Sequence, residues 1–420
     1  MDRVTATYEI ETAFPLEDAA ATMAGEQSTG TFVRVPGETD ELREAHAARV
    51  EALTELEEVA APSLPGSGVP KGWDGKRGRA RVTLSWPVSN FGLSLPNLLA
   101  AINGNLSELK AFSGLRLVDV TLPPEFLTRY QGPQFGVAGT RDLAGVHGRP
   151  IIGTIIKPSV GLSPEATAEQ VRGLVEAGID FIKDDELQAD GPHCPFEARI
   201  DAVMRVINDH AEKTGKKVMF AANLTGEIDE MLGRHDHVVA AGGTCIMASM
   251  NSIGLPAMKV LRAHSALPIH GHRNGWGLLG RSPAIGMSYI AFQKLWRLAG
   301  IDHSHVNGID NKFCESNESV IASARECLTP MFPAPHKGCE IMPVFSSGQS
   351  AKQAAPTYAA LGSTDCMFAA GGGIMAHPGG PAAGVRALRQ AWDAAVAGVP
   401  VEQAAKDAPE LAAALGAFGG

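Results

Sequence analysis

Hydrophobic and polar positions along the chain change rhythm near residue 150. Before about residue 130 strand-like and helix-like patterns alternate without a strict order. Val4 to Ile10 has the period-two pattern of a strand, and Leu16 to Gly25 the spacing of a helix. Phe32 to Val35 is again strand-like, while Glu41 to Glu57 carries charges and alanines at helical spacing. Arg79 to Trp86 predicts a strand and Leu95 to Asn103 a helix. This mixture predicts an α+β layer of antiparallel sheet and helices over residues 1–130.

From Pro150 onward, short apolar runs recur, each followed by a polar turn and an amphipathic segment. The runs are Ile151–Ile156, Ile179–Ile182, Val218–Ala222, Cys245–Ala248, Pro268–His270, His303–Val306, Glu340–Val344 and Cys366–Ala370. Helices are expected at Pro164–Ala177, Phe196–Lys213, Pro283–Ala299 and Ala382–Ala397. Eight buried strands interleaved with helices predict a closed (β/α)8 TIM barrel over residues 131–420, and an α/β class for the whole chain. A doubly wound open sheet is the alternative, but no G-x-G-x-x-G fingerprint follows an early strand.

Active sites of such barrels form where the strands end. The first run ends in Lys157-Pro158-Ser159 and the second in Lys183-Asp184-Asp185-Glu186. The third is followed by Asn223, the fourth by Asn251, the fifth by His272-Arg273. The sixth brings His305, with Lys312 in the loop beyond; the seventh brings Ser346-Ser347-Gly348, and the eighth Gly371-Gly372-Gly373. Side chains alternate along a strand, so Lys183 and Asp185 share one side while Asp184 points to the other. Two carboxylates at one strand end suit a hard divalent cation such as Mg2+. A lysine ammonium beside them is a poor ligand unless its charge is removed or inverted. The glycine turn would offer backbone N–H groups to an anion, and Arg273 with His305 could hold a second anionic group. Lys157 near a metal could act as an acid or base.

Composition narrows the classes. The 420 residues carry a formal charge of −10, against the basic surface that nucleic acids require. No apolar stretch is long enough to span a bilayer, and the first residues have no signal-type apolar core. The six cysteines form no C-x-x-C pair, as expected of reduced thiols. The expectation is a cytoplasmic, soluble enzyme.

The run Gly153-Thr154-Ile155-Ile156-Lys157-Pro158, with Gly161-Leu162 beyond it, and the run Gly178 to Glu186 resemble the large subunit of ribulose-bisphosphate carboxylase (RuBisCO). So do Glu26-x-Ser28-Thr29-Gly30-Thr31, Gly104-Asn105, His272-Arg273, Asp302-His303-x-His305, Ser346 before Gly348, and Gly371-Gly372-Gly373 with His377-Pro378. These matches run in family order over nearly the whole chain, and the resemblance implies a ferredoxin-like α+β N-terminal domain followed by a (β/α)8 barrel. The resemblance implies that CO2 converts Lys183 to a carbamate, which holds Mg2+ together with Asp185 and Glu186. It makes Lys157 the acid/base lysine, with His272 and Lys183 also catalytic and Lys312 the lysine of a mobile loop. It assigns Arg273 and His305 to one phosphate site, and Thr31, Ser346, Gly348, Gly371 and Gly372 to the other. Glu26 and Asn105 would be supplied by the partner in an antiparallel homodimer.

Departures from the carboxylase pattern fall on CO2 addition and loop closure. Ser159 stands where carboxylases carry a second lysine, Trp276 where a histidine is expected, and Ser347 where a glycine is expected. The loop Gly308-Ile309-Asp310-Asn311-Lys312-Phe313 also differs. The expectation is therefore a RuBisCO-like protein (form IV), an Mg2+-dependent lyase that forms an enediolate from a phosphorylated sugar acid without fixing CO2. Decarboxylation of a 3-oxo sugar-acid phosphate of the 3-oxo-isoapionate 4-phosphate type leads. Alternatives are transcarboxylase/hydrolase chemistry, isomerisation of 5-methylthioribulose 1-phosphate, and enolisation of a diketo-methylthiopentyl phosphate. A non-catalytic member that only binds a phosphorylated ligand is the alternative of another class.

Overall fold

A computed structural model describes residues 2–30, 35–73 and 75–418. It resolves into two compact units. The first comprises residues up to Tyr130 together with Gly275–Trp296 and Met331–Gly338; the second holds Gln131–Asn274, Arg297–Pro330 and the chain from Cys339 onward.

In the first unit, β1 (Arg3–Thr12), β2 (Arg49–Val59), β3 (Arg77–Pro87), β4 (Phe112–Thr121) and β10 (Ile285–Met287) form one sheet in the order β10-β4-β1-β3-β2. The period-two pattern sets its register. Val4, Ala6, Tyr8 and Ile10 of β1 lie opposite Trp86, Leu84, Val82 and Ala80 of β3, and all eight are buried. The helix Leu16–Glu26 buries Ala19, Ala20, Met23 and Ala24, and the helix Leu95–Asn103 buries Leu95, Leu98 and Ile102. The Tyr8 hydroxyl donates to the Ile102 carbonyl (2.5 Å), tying that helix to β1.

Two predicted helices break into helix plus strand. Glu41–Glu57 becomes a short helix, Asp40–His46, followed by the edge strand β2. Beyond Ala47 the positions Val50, Ala52, Thr54 and Leu56 alternate, and ladder pairing with β3 outweighs the helical propensity of the glutamates. Pro283–Ala299 becomes β10 followed by the helix Tyr289–Ala299. β10 pairs in parallel with β4, which makes the sheet mixed, and Ser288 Oγ then accepts from Ala291 N (3.1 Å) to start the helix. The strand expected at Phe32–Val35 falls almost wholly outside the described residues.

In the second unit, β5 (Ile151–Ile155), β6 (Phe181–Lys183), β7 (Met219–Asn223), β8 (Cys245–Ser249), β9 (Ile269–His272), β11 (His303–Asn307), β12 (Met342–Phe345) and β13 (Met367–Ala369) close a parallel barrel. Each overlaps one of the apolar runs. The barrel core includes Ile151, Ile155, Phe181, Met219, Ala221, Met247, Val344 and Met367. Gly153 is needed there, because a Cβ on it would stand 2.8 Å from the Phe181 ring. The flanking helices are capped as the sequence suggests: Ser163 accepts from Ala166 N (3.2 Å) ahead of Pro164 in the helix Pro164–Glu176. No helix among the described residues is long and apolar enough to cross a membrane.

Candidate active site

The strand ends of the barrel assemble most of the chemistry-bearing residues. Lys183, the last residue of β6, is 1% exposed. Its Nζ donates to the Asp184 carbonyl (2.7 Å) and lies 3.2 Å from Glu186 Oε2. Burial pushes its pKa below the usual lysine value, against the raising influence of Glu186 and Asp185. Asp184 points the other way, as strand alternation requires. It pairs with the buried Arg199 (3.3 Å) of the helix Phe196–Thr214 and accepts from Asn223 N (3.0 Å).

Lys157 follows β5. The Gln170 amide clamps its backbone, accepting from Lys157 N (3.2 Å) and donating to Lys157 O (2.6 Å). Its Nζ donates to Asp185 Oδ2 (2.6 Å) and to Ser159 Oγ (2.9 Å). Lys157, Lys183, Asp185 and Glu186 therefore form one cluster. His272 joins it, with Nε2 at 3.4 Å from Glu186 Oε2. Its Nδ1 accepts from Asn274 N (3.2 Å), so a neutral ring presents Nε2–H to Glu186. Burial and the Lys183 charge push the His272 pKa down to about 4. Burial raises that of Glu186, but Lys183 and His272 outweigh it and bring the carboxyl to about 2.

The donor set fits a magnesium ion. Asp185 and Glu186 supply hard oxygens, and the burial of Lys183 favours the deprotonated amine that carbamylation by CO2 requires. Carbamylation would complete an all-oxygen, anionic set and relieve the misfit of a buried ammonium at a cation site.

The second group lies at the ends of β9, β11 and β12. Arg273 pairs with Glu315 through a short contact, and both are nearly buried. Asn307 Nδ2 (2.6 Å) and Ser319 Oγ (2.9 Å) donate to the same Glu315 carboxylate. Both ring nitrogens of His305 are engaged, Nε2 with His270 Nε2 (2.7 Å) and Nδ1 with Ser346 Oγ (2.8 Å). Burial, with nearby histidines and Lys183, holds its pKa well below 6.5. Ser346 is thus gathered to His305. Gly348 lies beside Lys312, whose side chain is exposed with its Nζ over the Phe313 ring (5.2 Å). Gly371 lies near the Lys157 side chain; Ile374 N and Met375 N donate to the Gly371 carbonyl (3.2 and 2.9 Å), which leaves the N–H groups of Gly371–Gly373 outside the bonding of the short helix Gly372–Met375.

Glu26 and Asn105 belong to the first unit, at the end of the helix Leu16–Glu26 and the start of the 3-10 turn Asn105–Glu108. The Gln27 amide links this region, donating to the Ala100 and Ala101 carbonyls (3.2 Å) and accepting from Asn105 N (3.0 Å). Thr31 lies outside the described residues. Sequence reasoning assigned no role to Gln170, Arg199, Asn223 or Glu315. Asn223 carried a signal, since it follows the third apolar run; Arg199 and Glu315 carried none, each being one charge among many in a polar stretch.

Comparison with known proteins identifies the family. The family model "Ribulose bisphosphate carboxylase large chain, N-terminal domain" matches residues 2–126, and the model for its catalytic domain matches residues 136–418. A 3-oxo-isoapionate-4-phosphate transcarboxylase/hydrolase of Xanthobacter autotrophicus is 58% identical over 99% of both chains. A 3-oxo-isoapionate-4-phosphate decarboxylase of Rhizobium etli is 48% identical over 99% of this chain and 98% of its own. The crystal structure of a rubisco-like protein from Burkholderia fungorum superposes with a TM-score of 0.92 at 45% identity, covering 99% of this chain and all of that one. With both domains matched and relatives of this identity along its whole length, the chain belongs to the ribulose bisphosphate carboxylase large-chain family, among its RuBisCO-like members.

Proposed function

We propose that this protein is an Mg2+-dependent lyase that cleaves the carboxyl-bearing C–C bond of a 3-oxo sugar-acid phosphate, with 3-oxo-isoapionate 4-phosphate as the first substrate to test. The observation that carries the reading is the cluster of Lys183, Asp185, Glu186 and Lys157 at the strand ends of β5 and β6. The names of the relatives supply the substrate.

A 3-oxo acid needs no base for its first step. The electrons of the C–C bond to the carboxylate move to the ketone oxygen, CO2 leaves, and an enediolate remains. The bound cation would polarise that ketone and offset the developing charge. Asp185 holds the Lys157 side chain at the cluster, and the Lys157 ammonium gives a proton to the enediolate carbon. Ser159 accepts from the same amine and limits its swing. The N–H groups at Gly371–Gly373 hold the phosphate. Lys183, carbamylated, would complete the cation's ligand set with Asp185 and Glu186. The active form is a cytoplasmic homodimer in which Glu26 and Asn105 of one subunit complete the site of the other.

A second reading, favoured by the 58% identity, is transcarboxylase/hydrolase chemistry on the same compound. The substrate labelled with carbon-13 in its carboxyl group, incubated with protein, Mg2+ and bicarbonate, separates the two. Release of the label as CO2 supports the decarboxylase; its retention in an organic acid product supports transfer. No consumption of the substrate refutes both.

A further inference from the structure

We infer that Glu315 turns the Arg273 end of the barrel mouth from an anion receptor into an uncharged, hydroxyl-binding end, so that the site takes substrates carrying a single phosphate. This rests on the reading that the mouth binds a phosphorylated sugar derivative.

From the sequence, Arg273 and His305 were expected to hold an anionic group. In the structure the Arg273 guanidinium already meets the Glu315 carboxylate, with both side chains nearly buried. His305 adds no positive charge: its nitrogens are used by His270 and Ser346, and burial keeps the ring neutral. Arg273 and Glu315 therefore cancel. A phosphate approaching Arg273 would meet a carboxylate held in place by Asn307 and Ser319. The backbone that carries Glu315 is held as well: Asn311 Nδ2 donates to its carbonyl (3.2 Å) and to that of Gly308 (2.9 Å), and Gln349 Nε2 to the Ile309 carbonyl (3.0 Å). A hydroxyl suits such an end, since it can donate to a carboxylate and accept from a guanidinium. The glycine turn Gly371–Gly373 follows β13, three strands round the barrel from β9; it has no acidic side chain of its own and keeps its N–H groups for the one phosphate. The ligand class is a polyhydroxylated acid or ketose with one phosphate and a hydroxyl-bearing opposite end.

Binding of two probes tests this without turnover: ribulose 5-phosphate and ribulose 1,5-bisphosphate, measured by calorimetry with Mg2+ and bicarbonate at low ionic strength. The wild-type protein is expected to gain less than about threefold from the second phosphate, and Glu315→Gln to tighten the bisphosphate roughly tenfold, the effect of removing one unit charge a few ångströms away in a partly hydrated site. The monophosphate should change by less than about threefold. Glu315→Gln keeps the shape and an oxygen for Arg273 and Asn307, so folding is retained, and Glu315→Ala should show the same selectivity change. A wild-type preference for the bisphosphate of about tenfold or more, or equal changes for both probes, would overturn the inference. Failure of the 3-oxo acid to react, with this selectivity intact, would remove the proposed reaction and leave the role of Glu315 standing.

Discussion

Replacing Asn223 by alanine tests whether the two candidate metal carboxylates are positioned from outside their own loop. Asn223 ends β7 and is fully buried. Its Nδ2 faces the carbonyls of Asp185 (3.2 Å), Glu186 (3.3 Å) and Gln188 (3.3 Å), the turn that carries both carboxylates. Its Oδ1 accepts from Thr225 N (3.1 Å) and Thr225 Oγ1 (2.7 Å). Two N–H groups shared among three carbonyls, each bond with a net value of ~0.5–1.5 kcal/mol, give about 1–3 kcal/mol holding the turn in place. Loss of a residue that orients metal ligands typically lowers cation affinity by about 10–100-fold. Asn223→Ala should therefore raise the Mg2+ concentration for half-maximal activity by that factor, with little change in the apparent affinity for the phosphorylated substrate. The assay is a Mg2+ titration of initial rate, accompanied by thermal unfolding to show that the variant is folded. Half-saturation within about twofold of wild type, in a folded variant, would refute the view that this amide sets the carboxylate geometry.

Other substitutions probe the frame around the site. Asp180 is buried at the entry to β6, where it pairs with Arg149 (2.6 Å) and Lys216 (2.6 Å) and accepts from Ile152 N (3.0 Å). In Asp180→Asn an amide would face those cations. Breaking a buried pair whose partners are partly hydrated costs about 2–4 kcal/mol, read as a melting-temperature drop of roughly 2–5 °C for a chain of this size; no drop would show the pair to be dispensable. Because burial is outweighed by Arg149 and Lys216 and the Asp180 pKa is lowered, this contribution is full above the ordinary carboxyl range and fades as pH falls through the folded value. Buried histidines act at higher pH. Burial pushes His303 down to about 3, while an unfolded histidine titrates near 6.5, so the unfolded state takes up protons first and stability falls as pH drops from 6.5 toward 3. At pH 5.5 this costs on the order of 1 kcal/mol, and His272, at about 4, adds a similar loss. Equal urea midpoints at pH 7 and 5.5 would contradict it. Lys183→Ala should abolish both Mg2+-dependent activity and Mg2+ binding in a folded protein; activity that survives would remove the carbamate from the mechanism.

What the sequence by itself determined is the barrel and the identity of its central cluster. A strand buried on both faces must be a short, continuous apolar run, so the eight barrel strands could be read one by one. The polar residues after each run then had to meet, because strand ends of a closed parallel barrel share one face. The alternation of Lys183, Asp184 and Asp185 followed from the pleat. Where one segment could satisfy two patterns, the sequence left the choice to the sheet. Glu41–Glu57 has good helix formers, yet most of its second half becomes β2 because β3 offers a ladder. Pro283–Met287 lies within the barrel half of the chain, yet adds a strand to the other unit's sheet. The tertiary structure alone decided which charges neutralise one another. Arg273 and Glu315 lie 42 residues apart, and the Asn223 amide lies 35–38 residues from the carbonyls it orders. The sequence shows a charge or an amide at each such position, but its partner is set by how strands and loops come together. That pairing determines whether an arginine is ready for a phosphate or already answered by a carboxylate.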